Sequence, residues 1–146
     1  MKRAFVRSAT GFSLIEVLIA SALLGFVLLS LSQLFLQGSL EIYRAKNKSL
    51  AASLVREMME IIIASPYPAE NYDGFSTNSS PSTSNPVKED LLRWRRDVMA
   101  FQATALGTVS VLGSSYRKTV TVHLDYVNLG KEDHMEIKRT FSTPSP

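Results

Sequence analysis

The sequence contains no cysteine. That excludes disulfides, thiolate metal sites and thiol nucleophiles. Histidine is nearly absent too, with only His123 and His134 in the chain. Without cysteine or closely spaced acids around them, a metal site would be short of ligands, so both read as surface histidines. There is no Walker loop, no GxGxxG run and no serine in a nucleophile elbow. An enzyme is therefore not expected, nor a bound cofactor. The most informative absence is of charge, since residues 17–40 hold no Asp, Glu, Lys or Arg.

What is present is unevenly distributed. The 146 residues suffice for one domain, and the net charge is +3. Lys2, Arg3 and Arg7 all fall in the first eleven residues, which hold no acid, and from Phe12 onward bases and acids are equal in number. The basic pI thus reports a short positive head rather than a nucleic-acid surface. Such a head before an apolar run orients a membrane segment with its N-terminus in the cytoplasm. The run from Phe12 to Leu36 supplies the roughly 20 apolar residues that a span needs. It is too long for an ordinary signal peptide, and no small-residue cleavage site closes it.

The pattern then predicts one long helix. Residues 37–64 continue it without proline, and Leu40, Tyr43, Leu50, Leu54, Met58 and Ile61 mark an apolar stripe. Arg56 and Glu60 form an i,i+4 pair off that stripe. The helix over 12–64 would be about 80 Å long at 1.5 Å per residue, apolar all round over 12–36 and amphipathic over 37–64. Ser65-Pro66 ends it. Residues 65–87 hold four prolines in a Ser/Thr/Asn-rich stretch and read as a surface loop. Ser84-Asn85-Pro86 opens a second helix over 88–104, with Leu91, Trp94, Val98 and Phe101 on one face and Arg93 spaced to pair with Glu89 and Asp97. Over 108–141 the period changes to two. Val109 and Val111, then Val120, Val122, Leu124 and Tyr126, then Met135, Ile137 and Phe141 give a three-stranded antiparallel meander with one apolar face. Residues 142–146 are a tail. The expected fold is α+β, with the long helix packed on this small sheet.

The functional signal is Gly11-Phe12-Ser13-Leu14-Ile15-Glu16-Val17-Leu18-Ile19-Ala20. A basic leader, a glycine, a phenylalanine, a glutamate and an uninterrupted helix, in this order, resemble the N-terminal signal of type IV prepilins and type II secretion pseudopilins. The resemblance implies a pilin-like fold and that a membrane-embedded prepilin peptidase cuts after Gly11, the last residue of the leader 1–11, and N-methylates Phe12. It implies that Glu16, at the start of the membrane helix, pairs with the terminal amine of a neighbouring subunit during assembly. A carboxylate inside a membrane costs about 2.5–3.5 kcal/mol by insertion scales and so needs a partner. A helix N-terminus also favours an anion. Gly25 is a candidate hinge, because glycine weakens a helix by about 1 kcal/mol relative to alanine. Close helix packing at Gly25 is the alternative.

Within that family, the stretch around Leu92, Trp94 and Val98, followed by Gly107-Thr-Val-Ser-Val and Tyr116-Arg-Lys-Thr-Val-Thr-Val, looks like minor pilins of the pilus-modification type, thought to prime assembly or sit at the filament tip. The implied partners are the prepilin peptidase, other major and minor pilins or pseudopilins, and the inner-membrane assembly platform. The implied location is the inner membrane, C-terminal domain outside, and then the fibre. A minor pseudopilin of a secretion or competence system remains an alternative. So does a signal-anchored extracytoplasmic binding protein that never polymerises. Arg93, Arg95 and Arg96 around Trp94 keep nucleic acid open as a partner, since cations beside an aromatic hold single strands. Their spacing from Glu89 and Asp97 reads instead as a solvated face over a buried Trp94. Asp125, Glu132 and Asp133 are scattered acids, read as solvated.

Overall fold

The computed structural model describes residues 13–114 and 117–142. The chain forms two units, divided between Ile42 and Tyr43. Helix α1, Leu14–Ala64, contributes to both. Its first turn closes on Ser13, whose carbonyl accepts the amides of Glu16 at 3.0 Å and Val17 at 3.2 Å. In the first unit α1 is a bare apolar helix with Leu14, Phe26, Leu29 and Phe35 all exposed. Its serines turn inward on their own backbone, Ser21 to Val17 and Ser32 to Leu28.

The second unit holds the core. There α1 packs on an antiparallel sheet with strand order β1-β2-β3-β4, where β1 is Phe75–Ser76, β2 Leu106–Ser114, β3 Arg117–Asn128 and β4 Lys131–Ser142. The strand faces follow the period-two reading, with Val109, Val120, Val122, Leu124 and Tyr126 buried. The helix face follows the expected stripe only in part, with Met58 buried and Leu54 and Ile61 packed against the core. Ala51, Val55, Met58, Met59 and Ile62 are buried, while Leu50 stays 43% exposed and Tyr43 is exposed as well. Residues 50–63 are apolar on most sides, so periodicity alone did not select a face. The face that won carries Ala51, Val55, Met58, Met59 and Ile62, all part of the buried core.

The fourth strand is the addition to the expected three. β1 arises within the loop and is only two residues long, too short to show alternation. Phe75 pairs with Val109 and Ser76 with Thr108. Just beyond it, buried Thr77 donates its amide to the Gly107 carbonyl and accepts the Gly107 amide on its hydroxyl, both at 2.9 Å. A 3-10 turn over Ala69–Tyr72 precedes β1, and Asp73 after it accepts the Val111 amide at 2.7 Å on the open side of β2. Strand β3 turns into β4 through Leu129 and Gly130, with φ of 51° and 77°. Two positive φ values in a two-residue loop make the type I′ turn that matches strand twist.

Helix α2, Lys88–Phe101, ends before the expected residue 104. Gln102 leaves the helix in extended conformation and its side-chain oxygen accepts the Val127 amide at 2.9 Å, which ties the helix end to β3. At its start, Asn85 accepts the Val87 amide on its side chain and donates to the Asn71 carbonyl. Leu91, Trp94 and Val98 are buried as expected. The Trp94 indole donates to the Leu54 carbonyl of α1 at 3.0 Å, and its ring lies 6.2 Å from that of Phe75. A Cβ on Gly107 would lie 2.5 Å from the Trp94 Cη2, so the indole occupies the space that a side chain would need.

Candidate processing and assembly site

Of the residues singled out in the sequence, Gly11 and Phe12 lie outside the described residues. Glu16 is in the first turn of α1 with its side chain exposed. It stands among open apolar neighbours, Ile15 at 61% and Val17 at 53% exposure. The local chemistry is therefore a carboxylate at the positive end of a long helix dipole, on a surface otherwise suited to hydrocarbon. Such a group favours a cation brought to it from outside the helix. α1 runs unbroken through Gly25, and among the described residues no atom beyond the adjoining helix backbone lies within 4 Å of where a Gly25 Cβ would stand.

The basic residues of α2 are engaged differently from the expected pattern. Arg93 pairs with Asp90 at 3.4 Å, rather than with Glu89 or Asp97. Asp90 already accepts the Tyr72 hydroxyl at 3.2 Å, which fixes it on the side that Arg93 reaches. Arg95 donates to the Ser80 hydroxyl at 3.1 Å and its Nε is buried without a partner among the described residues. Trp94 is buried, so it offers no ring for a base to stack upon.

Strand register assembles two groups that linear spacing had kept apart. His123 faces Glu136 across the β3–β4 pair, and Asp125 faces His134. The two imidazoles stack with centroids 5.5 Å apart, and His123 lies between Asp125 at 2.9 Å and Glu136 at 3.5 Å. No three of the described His, Asp and Glu side chains are grouped so as to hold a metal ion. The acids Asp125, Glu132 and Asp133, expected to be scattered, line one cleft of about 380 Å³ with Thr104 and Tyr126. Asp133 accepts the Tyr126 hydroxyl at 3.2 Å and the His134 amide at 2.9 Å. The His134 amide chiefly, with Tyr126 and Lys48 adding to it, holds the Asp133 carboxyl below its ordinary range. Burial chiefly, with the Asp133 charge, pushes the Tyr126 hydroxyl up to about 12. Beside this cleft, buried Asn128 bonds Asn47 and the Arg44 carbonyl, both at 3.4 Å. Toward the other end of β3, Lys118 bonds Glu70 and lowers its carboxyl.

Residues 6–32 match the family model described as the prokaryotic N-terminal methylation motif. No curated protein and no solved structure matches the chain. The matched stretch runs from the basic head through Gly11, Phe12, Glu16 and Gly25. It supports a type IV prepilin-like chain anchored in a membrane by α1.

Proposed function

We propose that this chain is a minor pilin-like structural subunit without catalytic activity, cut after Gly11 and N-methylated on Phe12 by a prepilin peptidase, then built into a type IV pilus. Until then α1 holds it in the inner membrane, N-terminus in the cytoplasm and the sheet-bearing unit outside. On assembly Glu16 takes the methylated amine of a neighbouring subunit, which neutralises both charges away from water and sets the axial register. Other pilins and the inner-membrane assembly platform are its partners, with priming or the filament tip as its place. The observation that carries this reading is the matched stretch at residues 6–32, with Glu16 in the first turn of an apolar helix.

The test is the intact mass and N-terminal sequence of the chain recovered from its native membranes. A chain that begins at Phe12 with one added methyl group supports the reading. A chain that still begins at Met1 beside an active peptidase makes it a plain signal anchor.

A further inference from the structure

The tip of the β3–β4 hairpin carries a residue that its backbone does not favour. Leu129 has φ 51°, in a turn position that suits asparagine, aspartate or glycine. Its side chain is 38% exposed and is not among those packed against the core. The fold thus accepts backbone strain to hold an apolar side chain that the core does not use, and strain of this kind points to a function. Exposed Lys131 follows the turn, and exposed Tyr43 stands on α1.

Contacts inside the second unit place that tip. The Asn128 side chain bonds Asn47 and the Arg44 carbonyl of α1, whereas Lys118, near the other end of β3, bonds Glu70 past the end of α1. β3 therefore runs back along α1, and the tip lies at the end of this unit where the chain comes up from its apolar run. Only residues 37–42 separate the run 12–36 from Tyr43. As helix the chain rises about 10 Å from Leu36 to Tyr43, and even fully extended it spans no more than about 25 Å. The headgroup layer adds about 5–7 Å outside the hydrocarbon. The average tilt of a membrane helix, about 20°, is enough to lean the tip onto that layer.

We propose that the Leu129–Gly130 tip rests on the phospholipid headgroups of the membrane that holds α1. Leu129 enters the interface, Lys131 reaches a lipid phosphate, and Tyr43 sits at the same level, the mixture of apolar body and polar end that this layer favours. Glu132 and Asp133 nearby offset the lysine charge, so the contact is with the interface itself and does not select anionic lipid. It orients the second unit on the bilayer. The contact rests on the membrane anchoring in the proposed function, and on neither leader cleavage nor fibre assembly.

A chain without cysteine takes a single label cleanly. Glu132→Cys places a thiol beside the tip, and Leu112→Cys places one opposite Thr119, about 27 Å away along β3. Each full-length variant is labelled with a nitrobenzoxadiazole maleimide and reconstituted into phosphatidylethanolamine/phosphatidylglycerol vesicles, with and without headgroup-spin-labelled phosphatidylcholine. Quenching at residue 132 is expected to exceed that at residue 112 at least about threefold. Adding Leu129→Asn, which suits the turn, should lower quenching at residue 132 at least about twofold, and Leu129→Met should keep it. Equal quenching at the two positions overturns the contact, as does quenching at residue 132 unmoved by the asparagine. A label shielded in bacterial membranes yet unquenched in vesicles makes the partner a protein and overturns the lipid. Carbonate extraction separates the failures: a chain that resists extraction with an unquenched label loses only the tip contact, and a chain that is extracted loses the membrane anchor and the contact together.

Discussion

At the scale of single residues, the second unit is held by a few contacts with no slack. Gly107 and Trp94 compete for one volume, so Gly107→Ala is expected to destabilise the fold by about 1–3 kcal/mol. Trp94 is the only tryptophan, which makes its fluorescence during denaturant unfolding the direct measurement. Leu129 works in the opposite direction. It occupies the left-handed region at φ 51°, where an L side chain costs roughly 1–2 kcal/mol. Leu129→Asn is expected to raise the melting temperature by giving the hairpin the Asn-Gly pair that this turn favours. Tyr126 and Asp133 set a pH window. Tyr126 is raised on folding, so its contribution is complete below its ordinary value near 10 and is lost as pH climbs toward about 12. Asp133 is lowered, so its contribution is complete above its ordinary value near 3.8 and disappears as pH falls through the lower folded value. Tyr126→Phe should abolish the alkaline loss while costing about 1 kcal/mol at neutral pH, seen in melting curves from pH 7 to 12.

At the scale of elements, the choice of helix face makes a sharp comparison. Met58 is fully buried and Leu50 is not. Met58→Ala is expected to cost about 2–5 kcal/mol in chemical denaturation, whereas Leu50→Ala should stay below about 1 kcal/mol. The elements themselves were legible wherever a local rule decided them. The strand faces of Val120 to Tyr126 follow from alternation, and α2 follows from the spacing of Leu91, Trp94 and Val98. The face of α1 was not legible, because nearly every side of residues 50–63 is apolar and the decision lay with the sheet. Nor was β1, whose two residues are too few to alternate and are strand through their pairing with Val109 and Thr108. The candidate site divides in the same way. Gly11, Phe12 and Glu16 are neighbours in sequence, so their pattern is visible without a fold. His123 with Glu136, and the cleft shared by Asp125 and Asp133, come from cross-strand register that linear spacing cannot reveal.

At the scale of the whole molecule, the two units present different surfaces to different surroundings. Glu16→Ala is expected to leave leader cleavage intact and to impair incorporation, because in the proposed function the peptidase reads Gly11 while the fibre reads the charge. Normal incorporation of that variant alongside its partner pilins, scored by sheared-fibre immunoblot, would sink the mechanism. The second unit must remain separate from its neighbours until then, and its sheet has two edges where another strand could attach. β4 covers one edge with Lys131, Glu132, His134, Glu136 and Lys138. On the other, β1 shields only Thr108 and Val109, and the next amide along, that of Val111, is taken by Asp73. That single carboxylate withholds a backbone donor from any passing strand, a device against self-templated aggregation. Its loss would show first as turbidity in a concentrated solution of the chain and only afterwards as a lower melting temperature.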